Sequence, residues 1–298
     1  MFVGTLALLA PWLAGEECRA ILDRARGLYE SRQYDDAAME FRRAVPACDQ
    51  KQVALMGLGK TQLLGGKFAD AIVTLDTLLS RQPKNAEAMK LKADAQYFLG
   101  RDHDAEETLL HAIDLDARNG DAIYALGRIY YQQSRYDRAI EQFRKALALD
   151  PKSYKAYDNL GLCYEGLNDN QQALRNFLSA LELVSKDHPE YDSVYGNLAN
   201  LMLKIGNYSR AFDLGVEAAR RNPDSARNCF LTGKALTKLD KYDLSVRWLK
   251  RAGELDPDYP EPHYMLGQVY NKLGRKDEAR QEFQAFQEII KRVPRRQR

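Results

Sequence analysis

Apolar residues recur at three- and four-residue spacing along almost the whole chain, in paired stretches that polar turns separate. In residues 120–153 the apolar positions of the two stretches are Ile123, Leu126, Ile129, Tyr130, Ala139, Ile140, Phe143, Ala146 and Leu147. This spacing places the apolar side chains on one face of a helix, so each stretch is predicted to be an amphipathic α-helix with one buried face. No run of alternating residues predicts a strand. The pattern therefore predicts an all-α fold.

The paired helices repeat every 34 residues. Small residues mark this step at Gly59, Ala93, Gly127 and Gly161 and, after a shift of four residues, at Ala199, Gly233 and Gly267. A second series keeps the same step and the same shift, at Ala37, Ala71, Ala105, Ala139, Ala173, Ala211, Ser245 and Ala279. Self-similarity at this period predicts a solenoid of stacked helical hairpins, which overrides the two domains that a 298-residue chain ordinarily suggests.

The residues at fixed positions of the repeat carry a family resemblance. Leu126-Gly127, Tyr130, Ala139, Phe143 and Pro151 stand at the L-G, Y, A, F and P positions of the tetratricopeptide repeat (TPR). The chain is similar to TPR proteins over about residues 18–293, within a predicted solenoid of residues 16–293. Eight units can be drawn, beginning near residues 18, 52, 86, 120, 154, 192, 226 and 260. The resemblance implies a right-handed α–α superhelix of about eight hairpins.

The overall charge is nearly balanced, since 44 basic and 42 acidic residues leave a net charge of +2. No global field therefore favours nucleic acid or a membrane surface, and we expect no nucleic-acid partner. The basic excess lies at the carboxyl end, where residues 294–298 form a predicted basic tail. A short tail of this kind is typical of a solvated end.

Residues with catalytic or metal-binding chemistry are scattered along the chain. The four histidines share no metal-ligand spacing, and no H-E-x-x-H, paired Cys-x-x-Cys or phosphate-binding glycine loop is found in the sequence. We therefore expect no enzymatic activity, no metal site and no cofactor.

The resemblance implies that the first helix of each hairpin lines a concave groove that binds peptide or protein segments. The positions flanking the Leu-Gly pair are expected to face that groove, and they hold Tyr124, Arg128, Lys155, Asp158, Asn159, Asn197, Asn200, Arg227, Phe230 and Lys234. Asn159 and Asn197 share one position in successive units, which resembles the asparagine ladder of O-GlcNAc transferases. An amide suits peptide backbone because it both donates and accepts hydrogen bonds. The alternative is that these polar residues only keep an exposed helix face soluble.

The amino-terminal residues interrupt the repeat pattern. Residues 1–15 carry no charge and contain an apolar run that is too short to span a bilayer, so we expect no transmembrane span. The run suits the apolar region of a signal peptide, although no Lys or Arg precedes it. We favour export to a periplasmic or other extracytoplasmic compartment. The alternatives are a hydrophobic helix that caps the first repeat, and a cytoplasmic location.

The cysteines give a related prediction. Cys18 begins the first helix of unit one and Cys48 lies near the end of the second, and these ends are neighbours in an antiparallel hairpin. We predict a disulfide between them if the chain is exported, because oxidising compartments permit it. Cys163 and Cys229 fall two units apart and are predicted to be small buried residues.

Two irregularities stand out from the repeat. Residues 185–191 add four residues between the fifth and sixth units, either as a tolerated insertion or as a bend that shapes a site. At the other end, Phe286, Ile289 and Ile290 are expected to leave an apolar surface on the last helix. Solenoid ends need a cap or a partner, so this surface predicts self-association or a bound protein.

The sequence as a whole predicts a non-catalytic scaffold that binds a protein or peptide partner in a concave groove and assembles a larger complex. The alternative function is a regulatory or substrate-recruiting subunit of a separate enzyme system.

Overall fold

A computed structural model describes residues 11–188 and 190–292, and within those ranges the chain forms sixteen α-helices and no strand. The all-α prediction is confirmed. Contacts divide the chain into unit 1, Met1–Leu149, and unit 2, Asp150–Arg298. The helices of unit 1 are α1 Pro11–Glu30, α2 Tyr34–Ala47, α3 Lys51–Leu64, α4 Phe68–Leu79, α5 Ala86–Phe98, α6 Asp102–Leu115, α7 Gly120–Gln132 and α8 Tyr136–Leu149. Those of unit 2 are α9 Tyr154–Gly166, α10 Asn170–Asp187, α11 Ser193–Lys204, α12 Tyr208–Arg221, α13 Ala226–Lys238, α14 Tyr242–Leu255, α15 Pro260–Lys272 and α16 Lys276–Arg292.

Consecutive helices form hairpins, and the hairpins stack within each unit. Each odd-numbered helix packs against the even-numbered helix that follows it, which within each unit packs in turn against the first helix of the next hairpin. First helices also contact one another, as α1 with α3, α3 with α5, and α11 with α13. Among the described residues, no second helix makes comparably close contact with the second helix of a neighbouring hairpin. The first helices therefore lie on the inner side of each stack.

Glycine lets the two helices of a hairpin approach closely. A Cβ added at Gly127 would lie 2.7 Å from the Phe143 ring, and one at Gly161 would lie 2.4 Å from the Phe177 ring. Both phenylalanines are fully buried. The recurrence of glycine and phenylalanine at these positions follows from this contact, since the missing side chain makes room for the ring.

Each hairpin turn contains one residue with left-handed backbone. These residues follow the 34-residue step and its shift, as Arg32, Gly66, Gly100, Ser134, Asn168, Gly206, Asp240 and Gly274. At Gly66 (φ 73°), for example, the amide of the next residue, Lys67, donates to the Gln62 carbonyl at 2.8 Å. This arrangement ends the first helix and reverses the chain into the second.

The four added residues extend helix α10. It has 18 residues, whereas α8, α12 and α14 have 14 each. After α10 the chain continues through His188 and Tyr191 before α11 begins at Ser193. Tyr191 lies 4.8 Å from the ring of Tyr154, and His188 lies 4.3 Å from the same ring. The insertion therefore packs against the start of α9.

Both ends of the sequence lie partly outside the described residues. Helix α1 begins at Pro11, before the predicted unit start near Cys18, and proline suits a first helical position. Residues 1–10 of the apolar segment and the basic tail, residues 294–298, lie outside the described residues. Among the described residues, no helix combines the length and the apolar character that a membrane crossing requires.

The last helix carries the side chains that were expected to form an apolar surface. Ile289 is buried, and Phe286 and Ile290 are half-buried. The Phe286 ring lies 5.2 Å from that of Tyr264 on α15. The apolar surface is therefore partly covered within the chain, and self-association through it stays a prediction.

Candidate functional site

The first helices of unit 1 border a cavity of about 480 Å³. It lies between α1 and α3, and its lining residues are Arg26, Tyr29, Phe41, Gln52, Val53, Met56, Gly57, Lys60, Gln82 and Asn85. Most of the lining side chains are apolar or uncharged. This composition, with a few polar groups at the edge, is typical of a binding site.

A second cavity, of about 520 Å³, adjoins the first along the same face. Its lining residues, from α1, the α3–α4 region, α5 and α7, are Tyr29, Lys60, Leu63, Leu64, Gly66, Phe68, Lys90, Leu91, Asp94, Phe98 and Arg128. Tyr29 and Lys60 line both cavities. We call the two cavities together the unit 1 groove.

The floor of the unit 1 groove exposes large apolar side chains. Val53 is 39% exposed and Leu64 is 51% exposed, and the Phe98 ring is stacked 4.8 Å from that of Phe68. These residues stand on the opposite face of their helices from Leu55 and Leu58, which are buried in the core. Exposed apolar side chains that line a cavity are typical of an interaction surface.

Of the side chains predicted to face a groove, Arg128 and Tyr124 belong to unit 1. Arg128 lines the second cavity and lies over the Tyr97 ring, with its guanidinium carbon 5.3 Å from the ring centre. Tyr124 is half-buried beside Phe143, with the ring centres 5.6 Å apart. The other predicted groove residues belong to unit 2.

Unit 2 contains a hydrogen-bonded network around a buried carboxylate. Asp158 is only 2% exposed, and it accepts hydrogen bonds from the Tyr191 hydroxyl at 2.7 Å and from Asn197 Nδ2 at 2.9 Å. Arg227 in turn donates to Asn197 Oδ1 at 2.9 Å. Burial raises the pKa of the Asp158 carboxyl, although these bonds and the Arg227 charge act in the opposite direction. The network joins α9, α11, α13 and the insertion.

A second set of polar contacts lies further along α9 and α11. Asn200 donates to Glu165 Oε1 at 2.7 Å, and Lys204 Nζ lies 2.9 Å from Asn168 Oδ1. Burial raises the pKa of Glu165, and the Lys204 charge is the main opposing influence. These contacts fix the polar side chains of the first helices in place.

Several predicted groove residues therefore have a different environment from the expected one. Asp158, Asn197 and Phe230 are buried, because they pack against neighbouring first helices instead of facing solvent. Phe230 contacts the Tyr259 ring at 5.3 Å. Lys155 and Arg227 are exposed, and Lys234 is half-buried with its ammonium 5.8 Å from the Phe230 ring.

The two asparagines expected to form a ladder are not equivalent. Asn159 donates to the Lys155 carbonyl in its own helix at 2.8 Å. Asn197 instead bonds Asp158 and Arg227 inside the network of unit 2. The environments differ because Asn197 lies between Asp158 on one neighbouring first helix and Arg227 on the other.

The cysteines fall into two classes. Cys18 and Cys48 are joined in the structure, with their Cα atoms 5.2 Å apart, and the bond links α1 to the residue after α2. Cys163 and Cys229 are buried and free. Burial raises the pKa of the Cys163 thiol to about 12, so this residue is an inert part of the core.

The residues of the unit 1 groove floor are not evident from the sequence. Val53, Met56 and Leu64 look like core residues in a sequence, because helix α3 is apolar on more than one face. That two-sided character was the available signal, since a helix that buries one face needs polar residues on the other. Only the packing shows which face remains uncovered.

A further cavity, of about 390 Å³, lies between second helices of unit 2. Its lining residues, from α10, α11 and α12, are Leu178, Leu181, Glu182, Ser185, Tyr195, Arg210, Asp213, Leu214 and Glu217.

Among the residues that the structure describes, no group of three or more His, Cys, Asp or Glu side chains could hold a metal ion.

Comparison of the sequence with protein families gives matches along most of the chain. The pattern described as TPR repeat matches residues 127–168 and 233–274. Patterns described as tetratricopeptide repeat match residues 63–127, 153–224 and 260–291. No match to a curated protein was found.

Solved structures share the fold at low sequence identity. A chain of the APC/C hetero-tetramer Cut9–Hcn1 superposes with a TM-score of 0.70 at 15% identity, over 92% of this chain and 53% of that one. This chain therefore spans about half the length of that relative. A tetratricopeptide repeat protein from Parabacteroides merdae gives 0.67 at 19% identity, over 85% and 99% of the two chains. PilF of Pseudomonas aeruginosa gives 0.63 at 24% identity, over 74% and 98%.

Proposed function

Because the chain belongs to the tetratricopeptide repeat family, we propose that it is a non-catalytic scaffold that holds a segment of a partner protein in the unit 1 groove. Repeat proteins of this kind use the inner face of their helical stack to bind other proteins. The observation that carries the proposal is the pair of adjoining apolar cavities along the first helices α1, α3 and α5.

The groove suits a peptide segment better than a small ligand. Its floor is open, as the exposure of Val53 and Leu64 indicates, and its two cavities adjoin along successive first helices. An amphipathic or extended segment can place one apolar side chain in each cavity while its polar side stays in water. Apolar anchors in such pockets supply most of the energy of an interface.

The first-helix face of unit 2 has a separate place in the proposal. Its exposed cations, Lys155 and Arg227, and the half-buried Lys234 and Asn200 are available for polar contacts with a bound segment. Asp158 and Asn197 instead hold Arg227 in position through their hydrogen bonds. Self-association through Phe286, Ile289 and Ile290 is left out of the proposal, because Ile289 is buried and the other two are half-buried.

We further propose that the chain is exported and that it helps to assemble a larger complex. The bond between Cys18 and Cys48 supports an oxidising compartment, because disulfides persist there and are rare in the cytosol. The uncharged apolar character of residues 1–15 supports the same location. A recruiting subunit for a separate enzyme remains the alternative role for the same binding surface.

Paired substitutions on the full chain test the proposed function. Sixteen-residue peptides are selected against the chain from a random display library, synthesised, and measured by calorimetry. The groove substitutions are Val53→Asn and Leu64→Gln, and the controls are Val73→Asn and Leu110→Gln on the second helices α4 and α6. The controls are matched because Val73 and Leu110 are also exposed, by 68% and 42%.

We expect each groove substitution to weaken peptide binding about tenfold, since removing one apolar contact of this size costs about 1.4 kcal/mol. The controls should leave the affinity unchanged. Equal affinities for all four variants would place the peptides elsewhere and contradict the proposal. A library that yields no binding peptide would contradict it as well.

A further inference from the structure

Lys60 lies on the ridge between the two cavities of the unit 1 groove. Its side chain lines both of them, and Tyr29 is the other residue that they share. A segment that places one side chain in each cavity must therefore cross this ridge. The residue of the partner that lies between the two anchors comes close to the Lys60 ammonium.

The charges that line the groove are mostly positive. They are Arg26, Lys60, Lys90, Arg128 and Asp94. Lys90 Nζ lies 2.9 Å from Asp94 in its own helix, so this pair is internally balanced. The excess that remains is positive, although the chain as a whole is nearly neutral at +2.

Of the remaining cations, Arg26 lies 3.5 Å from Asp23 in its own helix, whereas Lys60 and Arg128 leave room for a new carboxylate. Lys60 Nζ lies 2.6 Å from Glu87, a surface residue whose side chain is 60% exposed and lines neither cavity. Exposed pairs of this kind contribute little, so a partner can replace Glu87 or join it. Arg128 lies over the Tyr97 ring, with its guanidinium carbon 5.3 Å from the ring centre.

We propose that the partner segment carries an acidic residue between two large apolar anchors, with the anchors in the two cavities and the carboxylate on Lys60. This inference rests on the proposed function and specifies the chemistry of the bound segment. Apolar contacts supply the affinity, and the central ion pair sets the register of the segment on the ridge. Arg128, at the end of the second cavity, favours a further acidic residue outside the anchors.

An anionic amphiphile, such as a fatty acid, shares the combination of apolar and negative groups. The geometry favours a peptide, because the apolar floor is divided by the Lys60 ridge and is open to solvent at Val53 and Leu64. A single alkyl chain would leave one cavity empty or would have to bend over the ridge. Oleate is therefore included in the test as the competing ligand.

The test measures charge complementarity at Lys60 with the peptides selected against the full chain. The variants are Lys60→Gln and Lys60→Glu, and the control is Lys67→Glu. Lys67 is a matched control because its ammonium also lies 2.6 Å from an exposed carboxylate, Asp35, and because it lines neither cavity. Each peptide is also made with its central acidic residue replaced by lysine.

We expect the selected peptides to be enriched in an Asp or Glu between two large apolar residues. Lys60→Gln should weaken their binding about threefold and Lys60→Glu about tenfold, with no effect of Lys67→Glu. The lysine-substituted peptide should bind Lys60→Glu better than the original peptide does. If Lys60 had only a structural role, Lys60→Glu would not change the preference from the acidic peptide to the lysine-substituted one.

Two outcomes would overturn the inference. Peptides that lose affinity with Leu64→Gln but not with Lys60→Glu would leave the proposed function intact and remove the central ion pair. Binding of oleate, with no peptide selected, would replace the peptide with an amphiphile and would contradict the proposed function at the same time.

Discussion

The glycines of this chain include some with left-handed backbone in the hairpin turns and others with helical backbone. Gly66 has a φ of 73°, and a Cβ built there meets nothing within 4 Å. Gly27 lies inside helix α1, and a Cβ built there also meets nothing within 4 Å. The two positions therefore differ in backbone conformation and not in available space.

Alanine substitution at these two positions is predicted to have opposite effects. Gly66→Ala should lower the free energy of unfolding by about 1 kcal/mol, because a Cβ is strained in the left-handed region. Gly27→Ala should raise it by up to about 1 kcal/mol, because alanine is the better helix former. Urea denaturation of the two variants beside the parent chain measures both changes. The same sign for both would contradict the role assigned to the turn.

Burial of Asp158 is the residue-scale feature that the sequence did not reveal. The repeat pattern predicts that Asp158 lies on a first helix and faces the groove. Asp158 does lie on a first helix, α9, but its side chain is buried. The insertion then brings the Tyr191 hydroxyl onto its carboxylate, while Asn197 covers the other oxygen. A contact that depends on how an inserted segment packs cannot be read from periodicity.

The hairpin of α1 and α2 is the element whose stability depends most on a covalent link. The bond between Cys18 and Cys48 closes a segment of 30 residues and links α1 to the residue after α2. The bond stabilises this hairpin by restricting its unfolded state.

Reduction of this bond is predicted to destabilise unit 1. Treatment with dithiothreitol should lower the stability of the first hairpin by about 2–4 kcal/mol, the usual range for a loop of this size. Urea denaturation with and without reductant provides the measurement. The double variant Cys18→Ala/Cys48→Ala should not respond to reductant, since Cys163 and Cys229 form no disulfide. An unchanged transition in the parent chain would contradict the prediction.

At the level of elements, the fold was predictable and the groove was only partly so. Apolar spacing within helices and small residues at a 34-residue step were sufficient to predict stacked hairpins. Of the groove residues predicted from the family resemblance, Arg128 lines the unit 1 groove. Met56, Val53 and Leu64 were missed, because an apolar side chain looks the same in a sequence whether it faces the core or an open groove.

For the whole molecule, we propose that a partner binds on the inner faces of stacked hairpins. Neighbouring first helices contact one another and leave two adjoining apolar cavities in unit 1. In unit 2 the same positions are occupied by hydrogen-bonded polar side chains. The chain therefore offers an apolar inner surface in one unit and a polar one in the other.

Site-specific photo-crosslinking tests directly whether a bound peptide lies in the unit 1 groove. A selected peptide carries a benzophenone side chain at one apolar anchor, and adducts on the full chain are located by mass spectrometry. Benzophenone reacts readily with methionine, and the chain offers a matched pair: Met56 lines the first cavity, and Met39 on α2 is 55% exposed. We expect adducts at Met56 and none at Met39. Adducts at Met39, or only in unit 2, would contradict this expectation.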